Sequence, residues 1–134
     1  MSEEFDMLKI SILVVEDNLL SQKIVRKFLE SEKYTVDLVK TGLEGLAKFK
    51  KKHYNFVIMD LGLNGLSGSE TALLMRLYEH KKQRTFTPIV GLTVSQQKSD
   101  HTKAFFSGIT PVFIKPLDEQ SKTDILKIIK SMNH

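Results

Sequence analysis

The sequence predicts a doubly wound α/β fold, a parallel sheet covered by helices on both faces, and three observations carry that prediction. Short, unbroken runs of apolar and β-branched residues recur along the chain without polar alternation, as strands buried on both faces require. Between these runs lie stretches with apolar residues at helical spacing, so that strand and helix alternate five times. The connections are only a few residues long, which suits parallel neighbours joined by crossover helices.

The first strand is residues 10–15 (ISILVV), which ends abruptly in acid at Glu16 and Asp17. Leu20, Ile24, Val25, Phe28 and Leu29 then repeat at helical spacing, and Asn18 stands where an N-cap belongs. Residues 35–39 read as the second strand. Thr41 and Glu44 follow at capping-box spacing and open a helix to about Lys51. Residues 56–59 (FVIM) form a third short strand, ending in acid at Asp60, and the glycine-rich residues 61–68 follow as a turn. Ser67 and Glu70 repeat the capping-box spacing, and their helix runs through Leu73, Leu74 and Leu77 to about Tyr78. Residues 81–87 read as a polar connection, with Pro88 marking the start of strand four at residues 89–92. Residues 99–106 are a helix with little apolar surface beyond Ala104, Phe105 and Phe106. Residues 112–114 are strand five, stopped by Lys115-Pro116. Ile125, Leu126, Ile128, Ile129 and Met132 then line one face of a last helix.

A length of 134 residues suits one compact domain over residues 1–134, with its core at about 9–132. A 41% hydrophobic and 27% charged composition excludes disordered and collagen-like chains. No apolar run approaches the roughly 20 residues of a membrane span. Residues 1–6 are acidic and lack the pattern of a signal peptide. With no cysteine, there is neither disulfide nor thiolate metal site, which agrees with a reducing cytoplasm, the expected location. The net charge of +4 gathers in Lys48, Lys50, Lys51 and Lys52 and in Lys81, Lys82 and Arg84. Both runs follow helices and read as solvated cations at helix C-termini. No nucleic-acid motif accompanies them, so neither nucleic-acid nor membrane binding is expected.

Sites in such sheets lie at the carboxyl ends of strands. There the sequence places Glu16 and Asp17 after strand one, Asp60 after strand three, Thr93 after strand four and Lys115 after strand five. Singly, each has a structural explanation as a cap, a strand residue or a surface charge. Together they converge from four strand ends on one patch. Three crowded carboxylates raise one another's pKa unless cations intervene, and Lys115 with one divalent ion would cancel their formal charge. Hard oxygen ligands without thiolate or clustered histidine favour Mg²⁺, since His53, His80, His101 and His134 are scattered. Such a site suits a phosphoryl group attacked by a carboxylate.

These residues resemble the response-regulator receiver family over residues 10–132. ILVVEDN at residues 12–18 is similar to the opening of receivers attached to hybrid histidine kinases. Met59-Asp60 resembles the phosphoacceptor, Leu92-Thr93 the switch hydroxyl, and Lys115-Pro116 the lysine before a cis proline. The resemblance implies a flavodoxin-like sheet of order 2-1-3-4-5. It makes Asp60 the nucleophile, Asp17 a direct Mg²⁺ ligand with Mn²⁺ able to substitute, and Glu16 an acidic partner acting through water. Gly62 would lend its backbone carbonyl to the metal, while Thr93 and Lys115 would contact phosphoryl oxygens. It also implies a histidine kinase or histidine phosphotransfer protein as donor in two-component signalling. Because the domain fills the chain, output is expected through a downstream protein or a homodimer.

Asn64 stands where receivers usually have proline, Val94 replaces a small residue, and Val112 takes the place of the switch aromatic. Phe113 is adjacent, but neighbouring strand positions point to opposite faces. A phosphatase resembling the haloacid dehalogenase superfamily would need a second acid two residues after the nucleophile, where this chain has Gly62. A flavodoxin-like cofactor binder would place phosphate after strand one, where the loop is acidic. A phosphorylation-independent interaction module is the remaining alternative.

Overall fold

The computed structural model describes residues 9–132; the acidic start at residues 1–6 and His134 lie outside them. Five strands alternate with five helices: β1 (Ser11–Val15), α1 (Leu19–Glu30), β2 (Thr35–Val39), α2 (Gly42–Lys51), β3 (Phe56–Asp60), α3 (Gly68–Lys82), β4 (Ile89–Thr93), α4 (Lys98–Phe106), β5 (Val112–Ile114) and α5 (Glu119–Met132). All strand pairs are parallel, in the order β2-β1-β3-β4-β5. The predicted doubly wound sheet is therefore the observed one, and its order reverses between β1 and β3.

The unbroken apolar runs are divided by the pleat between two cores. Leu13, Val15, Val57, Met59 and Ile89 pack with Phe49 of α2, Ala72 and Met75 of α3, and Ala104 of α4. Ile12, Val14, Phe56, Ile58, Val90 and Leu92 face the opposite way, onto Val25, Phe28 and Leu29 of α1 and Ile125 and Ile129 of α5. Every residue of β3 and β4 is buried, which explains why neither strand alternates polar with apolar.

Three predicted details change. Helix α3 does not end near Tyr78 but continues to Lys82, where Gln83 takes a left-handed conformation (φ 54°) and ends it. The extra turn is held by a pair on either side of Tyr78: Arg76 donates to the buried Glu79 at 2.9 Å and to the Thr87 carbonyl at 2.7 Å, and Glu79 accepts from the Thr87 N–H at 2.8 Å. On α5, Ile125 and Ile129 are fully buried, but Met132, the last residue of the helix, is 52% exposed. The box at Ser67 and Glu70 is complete. At Thr41, however, Glu44 accepts from the Lys40 N–H (3.3 Å) and the Thr41 hydroxyl, leaving only the forward half of the box.

Candidate functional site

Parallel pairing brings the predicted residues to one edge. The Glu16 N–H donates to the Val39 carbonyl at 3.0 Å, carrying the β1–β2 ladder one residue past the strand and fixing the acidic turn. Asp60 ends β3 opposite Leu92, so Thr93 lies one residue farther along β4. The Lys115 N–H in turn donates to the Thr93 carbonyl at 2.8 Å, setting the lysine directly after β5.

Glu16, Asp17 and Asp60 each offer a carboxylate oxygen within 4.8 Å of the others. Lys115 Nζ donates to Glu16 Oε1 at 2.9 Å and lies 3.4 Å from Asp60 Oδ2. The Gly62 N–H donates to Asp60 Oδ1 at 2.9 Å. Thr93 is buried, and its Oγ1 accepts from the Ser95 N–H at 3.0 Å rather than reaching toward Asp60 through any hydrogen bond. Thr93 and Gly62 line a cleft of about 300 Å³ together with Ser67, Ser69 and Ser95.

The electrostatics follow from burial. Asp60 is pushed above the usual carboxylate range, first by burial and then by the Glu16 carboxyl beside it; the Gly62 N–H and Lys115 only partly offset this. Burial of Lys115 works against its charge, but the hydrogen bond to Glu16 and the nearby Asp60 outweigh it and raise its pKa. Three carboxylates against one ammonium leave an excess of negative charge formed wholly of hard oxygen donors. That donor set fits a divalent cation of the magnesium type.

Two supporting contacts were not part of the sequence reading. Gln22 is buried and donates Nε2 to the Glu16 carbonyl at 2.7 Å, and the Asn18 N–H donates to Glu16 Oε2 at 3.0 Å. Asn18 also caps α1 as predicted, accepting from the Ser21 N–H at 2.9 Å. Gln22 lies three residues before Val25 and seven before Leu29, so its spacing already sets it on the buried stripe of α1, and the fold turns it onto the acidic loop. Gly68, read as a turn residue, instead permits close packing. A Cβ there would collide with the Asp60 carbonyl, so the start of α3 sits directly on the end of β3. Within the same turn, it is Gly65 whose φ of 74° needs glycine.

Comparison with known proteins agrees with this geometry. A family described as the response regulator receiver domain matches residues 12–129. Hybrid signal transduction histidine kinase G of Dictyostelium discoideum is 34% identical over 111 residues, covering 81% of this chain and 3% of that protein. The osmolarity two-component system protein SSK1 of Saccharomyces cerevisiae is 32% identical over 133 residues, covering 82% of this chain and 19% of the other. The chain thus spans a quarter or less of the length of the first curated relatives it matches. The Ssk1 receiver domain, solved in complex with the histidine phosphotransfer protein Ypd1, superimposes with a TM-score of 0.80 over 93% of this chain and 89% of that one. The receiver domain of the Pseudomonas aeruginosa sensor histidine kinase PA1611, solved with magnesium coordinated in its active-site cleft, is 25% identical. Its TM-score is 0.79 over 92% of this chain and 97% of that one.

Proposed function

The chain belongs to the response regulator receiver domain family, and on that premise we propose that Asp60 accepts a phosphoryl group from a phosphohistidine donor and that the resulting change of shape signals to a partner. The observation that carries the reading is Asp60 itself: a buried carboxylate at a strand end, within 4.8 Å of Glu16 and Asp17 and 3.4 Å from Lys115. One Asp60 oxygen attacks phosphorus as the bond to the donor imidazole nitrogen breaks, and the imidazole leaves as a neutral ring once it holds a proton. Lys115 neutralises a phosphoryl oxygen, and Thr93 donates its hydroxyl hydrogen to another, a hydrogen left free by the bond its oxygen accepts from the Ser95 N–H. Glu16, Asp17, Asp60 and the Gly62 carbonyl would hold Mg²⁺, or Mn²⁺ in its place, and the ion supplies charge neutralisation of the phosphoryl oxygens when bound.

A histidine phosphotransfer protein or kinase is the donor this reading requires, and the Ypd1–Ssk1 complex supports it. The donor imidazole must approach over the carboxyl edge. There, Leu20, Ile24, Val94, Pro116 and Leu117 line a shallow hollow of about 180 Å³ that also touches Lys115. Leu20 and Val94 are exposed at its rim, apolar surface suited to a protein partner. A cytoplasmic location goes with this partnership.

Incubation with acetyl phosphate and Mg²⁺, with Asp60→Asn as control, tests the proposal. We expect a stoichiometric, acid-stable and base-labile acyl phosphate that the variant lacks. Rapid multiple turnover would instead mark a phosphatase. A second reading, an interaction module independent of phosphorylation, is favoured by one observation. Val112 packs on the α4 side while Phe113 packs on the α1 and α5 side, so among the described residues β5 turns no aromatic ring to the α4 side. Absence of any acyl phosphate would favour that module.

A further inference from the structure

Helix α3 turns three leucines to solvent. Its inner face is Thr71, Ala72, Met75 and Glu79, whereas Leu73, Leu74 and Leu77 are 47%, 38% and 56% exposed and join neither core. At helical spacing the three form one outer stripe, and Lys81 continues it by a further turn. A contiguous apolar stripe of this kind on a solvent face marks a contact surface.

The charge at its end identifies the kind of contact. The two basic runs are distant in sequence, but the fold locks them side by side. Arg84 donates to the Phe49 and Lys50 carbonyls at 2.7 and 2.8 Å, and Tyr78 Oη donates to the Lys50 carbonyl at 3.4 Å. Lys48, Lys51, Lys81 and Lys82 are exposed and form no ion pair among the described residues. The nearby carboxylates are engaged, Glu79 with Arg76 and Asp37 with Lys52 and Tyr54.

Nucleic acid fits this surface poorly. The Arg84 guanidinium is committed to carbonyls, and the Tyr78 ring is covered by Lys50 and Arg84 at 5.4 and 4.9 Å. Neither a free fork for phosphate nor an open ring for base stacking remains there. An anionic bilayer fits poorly as well, because the exposed Glu70 ends the same leucine stripe on its other side. What remains complementary is a segment that is apolar along one side and acidic near one end.

We propose that the outer face of α3, with the lysines at the ends of α2 and α3, docks an acidic amphipathic helix of a partner protein. Apolar side chains of that helix lie on Leu73, Leu74 and Leu77, and its carboxylates face Lys51, Lys81 and Lys82. The basic end lies at the opposite edge of the sheet from Asp60, so both surfaces can be occupied together.

The probe is a synthetic helical peptide with leucine at every third and fourth position and glutamate elsewhere, titrated into the full chain. We expect saturable binding, with amide shifts confined to α3 and the end of α2. Leu77→Ser and the pair Lys81→Glu and Lys82→Glu should each weaken it at least roughly tenfold, while Lys23→Glu on α1 leaves it unchanged. These side chains are exposed, so an unaltered melting midpoint confirms that the variants fold. The proposal is overturned if the peptide fails to saturate, or if a lysine-for-glutamate version binds equally. It also falls if a DNA duplex or phosphatidylserine vesicle binds through the lysines with no loss in Leu77→Ser.

Discussion

Asp60 holds its proton more tightly folded than unfolded, because burial and Glu16 disfavour its charge. With a raised folded pKa, its contribution to stability falls as pH rises from the ordinary aspartate value through the raised one, so at pH 7 the ionised group opposes folding. Asp60→Asn is therefore expected to raise the thermal midpoint by a few degrees in chelator-treated buffer. Mg²⁺ should stabilise the parent chain and narrow the gap; an unchanged or lower midpoint for the variant would refute the electrostatic account. Asp37 has the opposite sign. The Tyr54 hydroxyl, donating at 2.6 Å, and then Lys52 at 3.1 Å hold its pKa below the usual value despite some burial. Its stabilisation is present above the ordinary aspartate pKa and is lost as pH falls through the lowered one. Asp37→Asn should cost about 1 kcal/mol at pH 7 by urea unfolding, with the difference vanishing at strongly acidic pH.

At the scale of elements, α3 matters most, since its start rests on Asp60 and its end carries the Arg76–Glu79 pair. In Gly68→Ala the new methyl meets the Asp60 carbonyl and lies 2.8 Å from Leu61 Cα, both backbone that cannot yield without moving the phosphoacceptor. We expect a loss of about 2–3 kcal/mol by overpacking and slower acyl phosphate formation than in Ser67→Ala, which removes the cap without the clash. Equal rates in the two would separate Gly68 from the site. At the other end, Arg76 also donates to the Gly108 carbonyl at 2.7 Å, joining α3 to the turns before β4 and β5. Arg76→Met leaves Glu79 buried beside the Thr87 N–H without its cation, and should cost about 3–5 kcal/mol in urea.

For the molecule as a whole, the question is how a phosphoryl group at one edge is felt elsewhere. Thr93 is the link available, since its hydroxyl accepts from Ser95, whose own hydroxyl donates to Asp100 of α4 at 2.5 Å. Beryllium fluoride with Mg²⁺ is expected to shift amides at Thr93, Ser95 and Val112. Binding that leaves those amides unmoved would remove the switch role and favour the interaction module.

The strands and their order of appearance, the helix caps at Asn18 and Ser67, and the five polar residues at strand ends were legible because each rests on local chemistry. Period, cap spacing and charge are written over a few neighbouring positions. The close packing at Gly68, the outward leucines of α3 and the meeting of two basic helix ends were not, because each depends on residues brought together from distant segments. A leucine at helical spacing looks the same facing a core or water, and only the side on which α3 meets the sheet decides which. Sequence alone determined which chemical groups this chain gathers at its carboxyl edge; tertiary packing decided their distances, their protonation and which surfaces remained for partners, since burial and proximity belong to the folded chain.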